Sequence, residues 1–119
     1  MKYLCLIYSD ERTLTAMSAK ESAALIDEHI DYSAALQRNG HLIAEEALHP
    51  VQAATTVRVR NGRLSATDGP FAETKQQLAG FFLVDVRDLN DAIQLAARNP
   101  AARYGSIESR PIRELPRAG

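Results

Sequence analysis

One cysteine and no tryptophan occur in 119 residues. A single thiol, Cys5, cannot form an intrachain disulfide or anchor a Cys-rich metal site. Flanked by Leu4 and Leu6, it reads as a small buried hydrophobe rather than a nucleophile. Surplus charge is also lacking. The formal net charge is −1, so the chain has neither a basic footprint for nucleic acid nor an attraction to anionic membrane surfaces. No stretch approaches the roughly 20 apolar residues of a membrane helix. Residues 1–10 read as a strand and run straight into Asp10-Glu11-Arg12, unlike a signal peptide. The expectation is a soluble, cytoplasmic protein. No Gly-rich phosphate loop, nucleophile elbow, Walker-type lysine or HExxH pair is present, and nothing in the chain calls for a cofactor.

What is present is ordinary globular material, 45% apolar and 24% charged, enough for one domain over residues 1–119. Tyr3 to Tyr8 (YLCLIY) and Phe81 to Val86 (FFLVDV) are apolar at odd and even positions alike. They predict central strands covered on both faces. Ser9 to Met17 is polar enough to be a loop. Ser18-Ala19-Lys20-Glu21 fits a capping box opening a helix that runs to about Asn39, with Gly40 as its left-handed stop. Ala23, Ile26, Ile30 and Ala34, widened by Leu25 and Leu36, form the apolar stripe expected to face the core, with His29 on its margin. His41 to Leu48 predicts a strand. Asn61-Gly62 joins Thr55 to Arg60 and Arg63 to Thr67 in a hairpin with a wet face, expected at the periphery. Asp88 caps a second helix ended by Asn99-Pro100, and Ser106 to Arg113 is the last strand.

Without the hairpin, the order strand, helix, strand, strand, helix, strand is the split βαβ plan of ferredoxin-like folds. Right-handed crossovers place YLCLIY and FFLVDV side by side in the centre. Both helices cover one face of the sheet, yet the central strands are apolar on two. The economical cover for the second face is another copy, which predicts a homodimer with sheets packed face to face.

The stretch Thr67-Asp68-Gly69-Pro70-Phe71-Ala72-Glu73-Thr74-Lys75 is not needed for folding alone. It reads blandly as a turn with Phe71 plugging the core and Glu73 and Lys75 in solvent. It reads functionally as a charged loop on a rigid scaffold. His29, whose ordinary pKa lies near neutrality, is the candidate proton carrier. His41 and His49 bracket a strand holding Glu45 and Glu46, but those neighbours point to opposite faces, and a metal site is not expected.

TDGPFAETK, followed by LAGFFLVDV, DLNDAIQLAARNP and Tyr104-Gly105-Ser106-Ile107-Glu108-Ser109-Arg110-Pro111-Ile112, resembles the DGPF group of the YCII-related family. The opening MKYLCLIYSD fits it too. The resemblance implies a dimeric α+β barrel with a cleft served by a histidine–aspartate pair. The histidine matches His29, ahead of Leu36 and Gly40, while the aspartate position holds Asn99. Asn99 can orient an imidazole by hydrogen bonding but cannot take a proton.

Two functions and one structural reading stand. The first is a small-molecule cleft performing lyase, isomerase or dehydrohalogenase-like acid/base chemistry. In it His29 carries the proton, Asp68 or Glu73 supplies the carboxylate, and Lys75, Phe71 and Asn99 bind the ligand. The second is a non-enzymatic ligand-binding or regulatory module associated with transcription control. The third treats DGPF as a turn and a plug.

Overall fold

The computed structural model describes residues 1–117. Its main sheet has the antiparallel order β2-β5-β1-β6, built from β1 (Lys2–Ser9), β2 (Leu42–Ala47), β5 (Gln77–Asp85) and β6 (Gly105–Pro111). The ferredoxin-like plan with an inserted hairpin is therefore what the chain adopts, with the two apolar strands in the centre. Helices α2 (Ala19–Arg38) and α3 (Leu89–Ala97) supply the crossovers.

Local chemistry explains the element ends. The Ser18 hydroxyl accepts from the Glu21 amide at 3.1 Å, and the Glu21 carboxylate accepts from the Ser18 amide at 3.0 Å. This reciprocal box satisfies two amides that the first helical turn would leave unpaired. At the other end Gly40 takes φ +75°, a conformation that glycine adopts without a side-chain penalty, and the chain turns back into β2. The loop expected between Ser9 and Met17 instead contains a short helix, α1 (Glu11–Thr15). Asp10 caps it by accepting from the Arg12 amide at 2.9 Å. β5 also starts earlier than its apolar run, at Gln77, because Leu78 and Gln77 pair with Tyr8 and Ser9 beyond a bulge.

The core lies on the helix side of the sheet. Tyr3 and Cys5 of β1, Phe82 and Val84 of β5, Leu36 of α2, and Ala92 and Leu95 of α3 are all buried there. Tyr32 meets Phe82 edge-to-face, with ring centroids 6.0 Å apart, an attractive geometry for aromatic pairs. Cys5 behaves as the small hydrophobe its neighbours suggested, and burial pushes its thiol pKa up. The alternate β1 and β5 residues Leu4, Leu6, Phe81 and Leu83 face away from the helices and are only half-buried.

The stripe on α2 requires correction. Leu36 of that stripe is buried in the core, but Ile26 and Ile30, expected to face it too, are 58% and 60% exposed. The helix leans on the sheet through Tyr32 and Leu36 near its C-terminal end. Helical spacing identifies residues that share a face, but it cannot say which flank of that face meets a neighbour.

β3 (Thr55–Arg60) and β4 (Arg63–Asp68) form a separate two-stranded sheet. Asn61 and Gly62 have φ of 52° and 73°, the positive pair a tight hairpin turn requires. Every residue of these strands except Thr56 is exposed. The arm stands off the body. The radius of gyration is 16.7 Å, against roughly 13–14 Å for a compact chain of this length.

Candidate functional site

A cleft of about 450 Å³ opens between the N-terminal half of α2 and the end of the main sheet. It exists because α2 stands away from the sheet where Ile26 and Ile30 point, leaving apolar walls with no protein opposite them. Glycine deepens the floor at Gly80, where a Cβ would lie 2.7 Å from the Glu46 carbonyl oxygen.

His29 projects from α2 into this cleft. Its Nε2 lies 3.0 Å from the Tyr104 hydroxyl. In a neutral imidazole, Nε2 either accepts the hydroxyl proton or donates to the hydroxyl oxygen, according to tautomer. Burial is the main influence that lowers the His29 pKa below 6.5, because a charged ring loses hydration there. Glu28 opposes that shift, Arg103 adds to it, and Glu45 opposes it more weakly. Tyr104 is pushed up, again chiefly by burial. At neutral pH the pair is an uncharged imidazole against an uncharged phenol.

Tyr104 is positioned from both sides. The 3-10 turn Pro100–Arg103 precedes it, and Gly105 follows where β6 joins β1. A Cβ on Gly105 would sit 2.1 Å from the Tyr8 carbonyl oxygen, so only glycine permits this approach. An ion pair between Arg103 and Glu28 links the same turn to α2. Exposed pairs of this kind add little stability, but this one joins the residues preceding Tyr104 and His29.

Asn99 is buried in the same cleft. Its side-chain oxygen accepts from the Ala101 amide at 2.9 Å and caps the 3-10 turn. Nearby, the Tyr32 hydroxyl donates to the Leu95 carbonyl at 2.6 Å. Glu45 also lines the cleft, where its carboxylate accepts from the Ser33 hydroxyl at 2.6 Å.

Within the subunit, His29 and Asn99 are thus brought together, while Asp68, Phe71, Glu73 and Lys75 do not line the cleft. All four are exposed, and Phe71, considered as a core plug, is 79% exposed. Gly69, with φ +97°, turns the chain out of β4, and its carbonyl accepts from the Thr56 hydroxyl. The loop is tied to its own hairpin. Lys75 lies near Asp10, whose carboxyl is held low mainly by the hydrogen bond from Arg12, with Lys75 a minor contributor. The sequence reading missed Tyr104 as a partner of His29. It stood in the stretch YGSIESRPI, but a tyrosine 75 positions away offers no spacing signal. His41 is engaged elsewhere, with Nδ1 3.0 Å from the Asp85 carbonyl oxygen. Among the described residues no group of His, Cys, Asp and Glu is arranged to hold a metal ion.

The YCII-related domain family matches residues 1–116. The chain belongs to that family. A relative from Rhizobium meliloti (strain 1021), itself an uncharacterised protein, is 36% identical over 114 residues, covering 94% of this chain and 92% of its own. Among solved structures, the chain is similar to TftG, the 5-chloro-2-hydroxyhydroquinone dehydrochlorinase of Burkholderia phenoliruptrix AC1100, in complex with 2,5-dihydroxybenzoquinone. That match has a TM-score of 0.53, covers 97% of this chain and 96% of the other, and carries 10% identity. At such identity the likeness concerns the fold. Among the described residues no helix is long and apolar enough to cross a membrane.

Proposed function

We propose that this YCII-related protein is a small enzyme of lyase, isomerase or dehydrohalogenase type, with His29 as its proton carrier. The observation that carries the proposal is the imidazole of His29, with Nε2 3.0 Å from the Tyr104 hydroxyl inside an apolar cleft. A base is useful at neutral pH only if it is unprotonated, and burial keeps this ring so. His29 would take a proton from a carbon or hydroxyl group of the substrate. The electrons left behind would form a double bond as a leaving group departs or a neighbouring carbonyl enolises. Tyr104 would hold the ring in place and return a proton. The dehydrochlorinase named for the TftG structure is consistent with this class of reaction on the same fold.

Asp68 and Glu73 enter this reading only through a second copy, since the subunit keeps them outside the cleft. A homodimer is part of the proposal. Leu4, Leu6, Phe81 and Leu83 make one apolar sheet face that the helices leave uncovered, and soluble monomers seldom keep such a face bare. A cytoplasmic location is proposed with it, in keeping with the lone reduced Cys5. The test is turnover of a panel of small halogenated or enolisable compounds. His29→Gln should abolish activity while leaving the melting temperature near wild type. Full activity in that variant would end the proposal.

Asn99 favours the second reading, a ligand-binding or regulatory module. The residue in the acid's place serves as a buried turn cap, a role with no proton to give. Binding of a ligand in the cleft without any turnover, together with recovery of a transcription factor from the native host, would support that module instead.

A further inference from the structure

The cleft just described also constrains the charge of what enters it. Cationic side chains, the strongest anion-binding devices of proteins, are missing from its wall among the described residues. Among the described residues lining it there is no lysine or arginine. His29 is held neutral by burial. The guanidinium of Arg103, which precedes Tyr104, is already paired with Glu28. Lys75, an obvious anchor for an anion from sequence alone, is not part of the lining. Among the described residues, the charged side chain on the wall is the Glu45 carboxylate; Glu46, which pairs with Phe81, points to the other face of the sheet. An anionic group placed here would lose its hydration, meet no counter-charge and lie near the like charge of Glu45, each of which costs free energy.

The apolar walls supply what attraction there is. Ile26 and Ile30 share the lining with Ile7, Leu14 and Ala47, and the volume is at the small end for ligand sites, roughly a single ring with its substituents. Polar groups converge at one end, where His29 and Tyr104 meet. That end offers one hydrogen-bonding station of mixed donor and acceptor character, suited to a hydroxyl or carbonyl.

We infer that the cleft takes an uncharged, ring-sized apolar molecule bearing a hydroxyl or carbonyl that docks on the His29–Tyr104 pair, and that it rejects carboxylate- and phosphate-bearing compounds of the same shape. This inference rests on the reading of the cleft as the site and deepens it. The substrate class is defined by charge and shape, whatever the bond that reacts.

Two near-isosteric probes decide it, 4-hydroxybenzamide and 4-hydroxybenzoate, titrated into the full chain near pH 7.5 and followed through the ring signals of His29 by NMR. The amide should perturb His29 and bind about tenfold or more tightly than the benzoate. Tyr104→Phe should weaken the amide. Glu45→Gln, which removes a wall charge at similar volume, should narrow the gap between the probes. Equal or tighter binding of the benzoate overturns the inferred class while leaving the cleft as the site. Failure of both probes to perturb His29 at millimolar concentration overturns the class and the cleft together. Amide binding in a protein that never turns over a related compound leaves the class standing and removes the acid/base reading.

Discussion

The α2 cleft and the β3–β4 arm show two ways of carrying apolar side chains at a surface. Ile26 and Ile30 are exposed, but the helix that carries them is held by Tyr32 and Leu36 against the core. Their exposure therefore makes a wall. In the arm, Val57 and Leu64 are 61% and 72% exposed, and the strands pair only with each other. A lone two-stranded hairpin is marginal in water, so the arm's apolar face is one that wants a cover. The difference teaches where chemistry can be precise. The candidate site in the subunit is assembled from elements packed on the sheet, whereas the DGPF signature hangs from the arm.

The sharpest break of that comparison is kinetic. If the packed cleft is the site, His29→Gln should cost about 10²–10⁴-fold in rate, whereas Asp68→Asn and Glu73→Gln should stay near wild type in a chain that acts as a monomer. A loss from Asp68→Asn matching that of His29→Gln would show that a second copy brings the loop to the imidazole.

Stability separates the regions next. Phe82→Ala, in the shared core, should cost roughly 3–5 kcal/mol in denaturant unfolding. Gly105→Ala should cost roughly 1–3 kcal/mol, because its Cβ would overlap the Tyr8 carbonyl and displace the strand behind Tyr104. Leu64→Ala, in the uncovered arm, should change unfolding by no more than about 0.5 kcal/mol. A larger, concentration-dependent cost for Leu64→Ala would mean that the arm is covered by a partner.

The smallest effect is on pH dependence. Burial lowers the His29 pKa in the folded chain, so on acidification the unfolded chain binds that proton first. Stability should therefore fall as pH drops from the ordinary value of 6.5 toward the lowered folded value, and this contribution should stop changing below both. Unfolding midpoints followed across that window should decline less in His29→Gln than in wild type. An identical decline would place the titration elsewhere.

Much of the scaffold was legible because its signals are local. Ser18 and Glu21 are three residues apart, and their hydrogen bonds form within one turn of helix. Gly40, Gly62 and Asn61 specify left-handed backbone by what their side chains allow. The two doubly apolar strands announced a central place, and topology delivered it. Less of the site was legible. His29 was recognised by its chemistry, and Asn99 by its place in a family pattern, but Tyr104 has no local mark. The DGPF loop drew attention because folding did not demand it, and in the subunit it lies apart from the imidazole.

The sequence by itself thus determined the order of the strands and the two long helices, the caps of those helices, the hairpin turn and the family, since each depends on interactions between near neighbours or on a repeated pattern. Only the tertiary structure decided which flank of α2 meets the sheet, that Ile26 and Ile30 wall a cleft, and that Tyr104 meets His29. Those outcomes depend on how far a helix stands from a sheet, a distance set by the summed packing of residues remote in the chain. No single stretch of sequence encodes that distance.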